Sequence, residues 1–305
     1  MGFEKVFVEI TNFCGLNCTF CTPLKESKRV MPLSLFSKIA QEISPHTKLC
    51  ALHILGDPLS VESLKDYLDI AENFQLKIDL TTSGFYCSEE NSNLLLHHPS
   101  IHQINLSLAS VLYQNKPIPL DSYLTPIFNL CSKHQQLKSE KFINLRLWNL
   151  NQDLSAPSKN AALYQRLEKF FNLDSIIPTK TRLAYKIHLI GAPFFQWIRP
   201  ETQTKSQNNY GFCYGGSKQL GILCNGVVVP CCFDVEGKIN LGNLSTQNLQ
   251  EILSSPRAKA LIEGFKKCQC VETLCQICTY KTYLKRQNSI RDSKSFANPN
   301  IVHNE

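Results

Sequence analysis

The 305-residue, 34.6 kDa chain is 43% hydrophobic and 19% charged, the balance of an ordinary globular protein long enough for one large domain and a smaller one. No run approaches eighteen apolar residues, Met1–Lys5 lacks the basic-then-apolar order of a secretory signal, and Val6 stands where a myristoylated Gly2 needs Ser or Thr. A membrane span, export and lipidation are therefore not expected, and the cytoplasm is. The net charge of +7 is uneven, with nine Lys or Arg against four Asp or Glu from Pro256 to Glu305; that end suits a solvated helix face or, less simply, an acidic partner such as RNA.

From residue 5 to about 190 the sequence alternates β-rich runs with helical patterns. Lys5–Thr11 reads as a strand and Pro32–Ile43 as a helix opening on Pro. The series continues with strand Leu49–Leu55, helix Val61–Phe74, strand Leu76–Thr82 and helix Asn91–His98. Strand His102–Leu108, helix Leu120–Gln136, strand Phe142–Leu150, helix Asn160–Phe171 and strand Tyr185–Ile190 complete it. Six strands, each but the last followed by a helix, predict a parallel α/β architecture, a partial (β/α)6 TIM-like barrel with its site at the C-terminal strand ends. Gly191–Tyr210, with Pro193, Pro200 and the polar run Thr202–Asn209, reads as a connector. Gln219–Cys224 and Val227–Phe233 then form a hairpin around Asn225-Gly226, followed by a helix over Asn248–Phe265, a cysteine-dense segment 268–278 and a polar tail. The expected division is 1–200, a small cysteine-rich α+β domain over 201–283, and a tail over 284–305.

Fourteen cysteines in a chain without an export signal point to metal binding or catalysis rather than disulfides. Cys50, Cys87 and Cys131 sit among apolar neighbours and read as core residues. Cys14, Cys18 and Cys21 have C-x3-C-x2-C spacing directly after the first strand, where a barrel carries catalytic groups. Three thiolates on a 4Fe–4S cube leave one iron open to a small molecule, and an amine and carboxylate on one carbon chelate such an iron. Zinc, the competing reading, wants a fourth ligand that no nearby residue supplies. In the second group Cys213, Cys231, Cys275 and Cys278 can enclose a fully ligated 4Fe–4S cluster or a four-cysteine zinc site. Cys224, Cys232, Cys268 and Cys270 are left over, and Cys232 or Cys270 can stand in for a chosen ligand.

The cysteine loop, with Phe20 before its last cysteine and the flanking VEITNFCGLNCTFC, resembles the signature of the radical S-adenosylmethionine (radical SAM) superfamily. Gly56-Asp57-Pro58 after the second strand resembles that family's Gly-Gly-Glu-Pro loop, with Leu55 in place of the first Gly and a shorter carboxylate. Thr82-Ser83-Gly84 resembles its Thr-Asn-Gly, and Asn105, Ser107 and Arg146 resemble positions that line the cofactor. PCCFDVEGKINLGNLSTQNLQEILSS followed by LCQIC resembles the SPASM extension or its shortened "twitch" form with one auxiliary cluster. The resemblance implies S-adenosylmethionine (SAM), a catalytic 4Fe–4S cluster, one auxiliary 4Fe–4S cluster and a reductant such as flavodoxin or ferredoxin. It implies reductive cleavage of SAM to a 5′-deoxyadenosyl radical that takes a hydrogen atom from substrate.

Three substrate classes stay open: a small molecule undergoing oxidation, a peptide or protein side chain, and a nucleotide or RNA. Only thirteen residues precede Cys14, which counts against the peptide class unless a separate protein grips the leader peptide. Arg146, Trp148, His188 and Trp197 are candidates to face substrate. The alternative of another class is a non-catalytic electron-transfer or zinc-binding protein, which has no need of an open iron or of the Gly56-Asp57-Pro58 loop.

Overall fold

The computed structural model describes residues 2–22, 27–194, 208–281 and 284. In chain order its elements are β1 (Lys5–Val8), α1 (Leu33–Ile43), β2 (Leu49–Leu52), α2 (Leu64–Asn73), β3 (Lys77–Thr82), α3 (Glu89–His97), β4 (Ile101–Ser107), α4 (Ala109–Leu112), α5 (Leu120–Gln136), β5 (Phe142–Leu150), α6 (Ala161–Phe171), β6 (Lys180–Ala184) and β7 (Ile187–Pro193). After the connector come β8 (Gln219–Ile222), β9 (Val227–Val229), β10 (Gly242–Asn243), α7 (Leu249–Ser254), α8 (Pro256–Lys266) and α9 (Thr273–Ile277). Trp197, Pro200 and 201–207 of the expected connector lie outside the described residues, as does 285–305 of the tail. No helix among the described residues is long and apolar enough to cross a membrane.

All ten strands form one open sheet in the order β10-β9-β8-β1-β2-β3-β4-β5-β7-β6. The six strands read from the sequence are the parallel run β1-β2-β3-β4-β5-β7, the partial barrel of the α/β class. Alternation explains its two faces. Val6 and Val8 of β1 are fully buried in one apolar cluster with Phe36, Ile39, Ala40 and Ile43, the i, i+3, i+4, i+7 stripe of α1. Residues of opposite parity, among them Lys5, Phe7, Asp79 and Asn105, point to the concave side. Cys50, Cys87 and Cys131 are buried, as their apolar neighbours suggest.

Three features differ from the sequence expectation. The hairpin β8–β9 does not stand apart, because β8 pairs in parallel with β1 from Lys5↔Gln219 to Val8↔Ile222 and extends the same sheet. A strand not anticipated, β6, pairs antiparallel with β7 at the far edge. The helix expected over Asn248–Phe265 is two helices, broken where Pro256 forces Ser255 into extended backbone (ψ 149°). Each half is then capped, α7 by the Asn248–Glu251 capping box and α8 by the Ser255 hydroxyl accepting from the Ala258 N–H.

On the concave side the Lys5 ammonium meets the Asp79 carboxylate, which is 4% exposed and has Oδ1 without a hydrogen-bond partner. Removing the cation strands a buried charge. Lys5→Met is expected to destabilise the chain by about 3–5 kcal/mol, and Lys5→Met/Asp79→Leu to recover most of that loss. Chemical-denaturation midpoints of the two variants check it.

Candidate functional site

Beyond β1 the chain crosses the C-terminal edge of the sheet as a loop carrying Cys14, Cys18 and Cys21, all partly exposed. The loop is held along its length. Asn12 Oδ1 accepts the Arg29 N–H at 2.8 Å, and its Nδ2 donates to the Ser27 carbonyl. The Asp57 N–H donates to the Phe13 carbonyl at 2.9 Å, and the Thr19 N–H to the Tyr113 carbonyl at 2.8 Å. Gly15 has φ +76°, a left-handed conformation that glycine takes without a Cβ penalty. Phe20 meets Tyr113 and Phe194 edge-on, with ring centroids 5.5 and 6.5 Å away. Burial, then the Asp57 carboxylate, push the Cys14 thiol up to about 12, with Cys18 and Cys21 adding repulsion. Burial also raises the Cys18 thiol, against hydrogen bonds from Gln114 and Ser110 that lower it.

The loop after β2 is packed against this one. A Cβ on Gly56 would sit 2.0 Å from the Thr11 carbonyl oxygen, so only glycine allows the two backbones to approach. Next to it Asp57 is 1% exposed and fully engaged. Its Oδ1 accepts the Leu59 N–H at 3.0 Å, opening the turn at Pro58. Its Oδ2 accepts from the Thr82 hydroxyl at 2.9 Å, the Ser83 N–H at 2.8 Å and the Ser83 hydroxyl at 2.6 Å. Burial pushes the carboxyl's pKa up, and these four donors pull it down. Asp57, Thr82 and Ser83, three candidate cofactor contacts, are thus brought together and satisfy one another.

The register aligns Thr81, Asn105, Asn144 and His188 across four strands. Asn105 is 1% exposed; its Oδ1 accepts from Gln103 and Asn144, and its Nδ2 donates to the Leu80 carbonyl. It organises the concave face, with its oxygen and one of its two amide hydrogens engaged. Two residues higher, Ser107 pairs with Arg146. The Arg146 guanidinium lies 5.3 Å from the Trp148 ring centroid, and burial pulls its pKa down to about 10, opposed by Asp79 and Cys232. Of the substrate-facing candidates, Trp148 is 43% exposed, while His188 stacks on Phe142. Trp197 lies outside the described residues. Burial, then Arg146 and Lys5, push His53 down to about 3, so this imidazole is neutral at pH 7.

The second cysteine group converges although 65 residues separate its ends in the chain. Cys231 lies within electrostatic reach of Cys213 and Cys278, Cys275 of Cys213 and Cys278, and Cys278 of Cys213. Burial raises all four thiols, Cys278 to about 11. The spare cysteines are spoken for differently. Cys232 packs with Ile54, Leu223 and Val229, and Cys270 Sγ faces the Gly211 carbonyl and, at 3.8 Å, the Lys281 ammonium; both also lie within electrostatic reach of the set, Cys232 of Cys213 and Cys278 and Cys270 of Cys213 and Cys275. Among the described residues the one set of three potential ligand atoms within 4.8 Å of one another is Asp69, Glu72 and His98, on the outer surface.

Contacts that sequence reasoning missed tie the two groups together. Glu9, 5% exposed, accepts the Leu55 N–H with Oε1 and the Cys224 N–H with Oε2, linking β1 to the loop after β2 and to the hairpin. A cavity of about 380 Å³ opens beside it, lined by Asn12, Thr22, Asn225, Glu236 and Lys238 among others. Thr22 Oγ1 is buried there without a hydrogen-bond partner. Gln114, whose amide reaches Cys18 Sγ at 2.9 Å, was likewise unmarked. No local signal exists for a residue ninety-six positions from its partner.

Asp57→Ala removes the acceptor of four buried donors. At about 1.5–3 kcal/mol per charge-assisted bond, and with partial relaxation, a loss of at least ~3 kcal/mol is expected. Asp57→Asn, which retains one carbonyl, is expected to lose less. Thermal midpoints and hydrogen-exchange protection at Ser83 check both.

Residues 213–279 match the family model of SPASM, an iron–sulfur cluster-binding domain. No curated protein matches the chain in sequence. Among solved structures, BtrN in complex with AdoMet and 2-DOIA is similar at 16% identity over 92% of this chain and 94% of that one, TM-score 0.52. Streptococcus suis SuiB bound to precursor peptide SuiA is similar at 15% identity over 93% and 74%, TM-score 0.60. Native anSMEcpe with bound AdoMet is similar at 15% over 90% and 89%, TM-score 0.54. The chain has the fold of BtrN, SuiB and anSMEcpe, and its residues 213–279 match the SPASM iron–sulfur cluster-binding domain.

Proposed function

We propose that the chain is a radical SAM enzyme in which Cys14, Cys18 and Cys21 hold a catalytic 4Fe–4S cluster with one open iron. The observation that carries this reading is the convergence of those three thiols on one braced loop at the C-terminal edge of a parallel sheet. Three soft donors with no fourth partner among them suit an open cube. The likeness to AdoMet-bound BtrN and anSMEcpe supports SAM as the ligand of that iron. When bound, the cluster and SAM supply one-electron cleavage of the sulfonium and abstraction of a hydrogen atom from substrate.

The protein's own residues position and shield. Gly56 lets the second loop close on the cysteine loop, and Asp57 locks it to Thr82 and Ser83. With the Asp57 carboxylate engaged, Ser107 and Arg146 retain groups for the cofactor or substrate. Phe20, Tyr113 and Phe194 form an apolar wall beside the loop that keeps water from it. In residues 201–283 Cys213, Cys231, Cys275 and Cys278 hold an auxiliary 4Fe–4S cluster, its electrons exchanged with a flavodoxin- or ferredoxin-like reductant or with substrate. Residues 1–200 are the catalytic unit, and 284–305 a tail.

A polar small molecule undergoing oxidation is the favoured substrate class. The cavity of about 380 Å³ has the size of a small-molecule site, and Thr22, whose buried hydroxyl has no hydrogen-bond partner, lines it with Glu236 and Lys238. A peptide is the second reading, favoured by the likeness to peptide-bound SuiB.

Anaerobic reconstitution, reduction and assay of 5′-deoxyadenosine test the proposal. The wild type is expected to release it from SAM, and Cys18→Ala to release none. Cys275→Ala/Cys278→Ala is expected to lower bound iron from about eight to about four per chain; unchanged iron with loss of zinc would overturn the auxiliary assignment. Because the free thiols are protonated up to about 12 at Cys14 and about 11 at Cys278, cluster assembly releases protons. Iron retention against a chelator is therefore expected to be greater at pH 8.5 than at 6.5.

A further inference from the structure

We propose that Gln114 is a positioning residue for the catalytic cluster, and that the hydrogen bond it donates to the Cys18 thiolate raises that cluster's reduction potential. The proposal rests on the cluster reading given above. Gln114 lies two residues past α4 and pairs with Cys18 in an isolated antiparallel bridge. Its Nε2 donates to Cys18 Sγ at 2.9 Å and to the Ser110 carbonyl at 2.7 Å, and its Oε1 accepts the Asn17 N–H at 3.2 Å.

The amide has one workable orientation. Turned over, it would set its oxygen against the Ser110 carbonyl and its NH2 against the Asn17 N–H, two repulsive contacts in place of two attractive ones. Ser110 is itself only 5% exposed, so the acceptor that aims Nε2 is fixed by α4. The N–H therefore faces the sulfur whatever the cluster's charge.

The electrostatic consequence follows from sign. Reduction adds one electron to the cube, from 2+ to 1+, with no bond made or broken, and deposits part of that charge on the cysteine sulfurs. A donor already aimed at a sulfur stabilises the electron-rich state more than the electron-poor one. Removing it makes the cluster harder to reduce. Gln114 has a second task, since its Oε1 braces the cysteine loop through Asn17, and the two tasks are separable. Gln114→Glu retains an acceptor for the Asn17 N–H but has no donor for sulfur. Gln114→Met loses both while keeping the length of the side chain.

The test is a dithionite redox titration of the reconstituted full-length chain, followed by electron paramagnetic resonance, with iron counted in each sample. The Cys14→Ala/Cys18→Ala/Cys21→Ala variant supplies the auxiliary cluster's own signal for subtraction. In Gln114→Met the reduction equilibrium is expected to fall about tenfold, which is 59 mV for a one-electron couple. Gln114→Glu, adding a negative charge, is expected to fall further at wild-type iron content, and the auxiliary midpoint to stay put. An unchanged catalytic midpoint in both variants at full iron would overturn the proposal and leave Gln114 a loop brace. So would iron loss in the Met variant with an unchanged midpoint in the Glu variant. A wild type with no reducible signal beyond that of the triple variant would overturn the cluster reading itself, and the proposal with it.

Discussion

The carboxylate of Asp57 is the point on which the site's geometry depends. It is buried, and an ionised carboxylate away from water survives only when its lone pairs are filled. Four donors from the loops after β2 and β3 fill them, and the same residue's N–H reaches the Phe13 carbonyl in the cysteine loop. Three loops from three strands are thereby held to one charge. The absence of a Cβ at Gly56 is what lets this happen, since the Thr11 carbonyl occupies the space a side chain would need. Ser83 passes the constraint onward, because its carbonyl accepts the Tyr123 hydroxyl of α5 at 2.5 Å.

The two halves of the chain share a sheet, and this alters how their cysteine groups relate. Strand β8 lies alongside β1, the strand from which the first cysteine loop departs, in parallel register. Glu9 then bonds to the backbone on both sides, at Leu55 and at Cys224. A displacement of the hairpin is felt at the start of the cysteine loop through the hydrogen bonds of Glu9. In the second group Cys231 follows that hairpin and Cys275 lies on α9, so its position is tied to the sheet that carries the first.

The concave face is polar where a closed barrel is filled with branched apolar side chains. Lys5 with Asp79, and Asn105 with Gln103 and Asn144, satisfy one another inside the sheet. Such a network is costly where it is incomplete, as at the unpartnered Asp79 Oδ1, and its internal pairings occupy most of the polar atoms whose types suggest ligand contact. Arg146 differs. Its contact is with the Trp148 ring, and it stands one layer nearer the mouth, where a ligand enters.

How much of this was legible beforehand follows the range of the interactions. Alternation with period two and stripes at 3.6 are local, so the parallel strands, the helices and the Asn225-Gly226 turn were readable from the chain, as was the placement of Cys14, Cys18 and Cys21 after a strand. The break at Ser255-Pro256 was written locally too and was overlooked, although proline's effect on the preceding residue is a rule of the backbone. Strand β6 escaped because Lys180–Ala184 is an edge with one buried residue in five, and its pattern is faint. What the residues alone determined is the chemistry: soft thiolates in two sets, a glycine beside a carboxylate, and the elements that carry them. What only the tertiary structure decided is which groups are already spent. Asp57 turning to Ser83, Asn105 to Asn144 and Gln114 to Cys18 are pairings across 26, 39 and 96 positions. Hydrogen bonds of that span depend on which strands lie side by side, and sheet order is a property of the folded chain rather than of any segment of it.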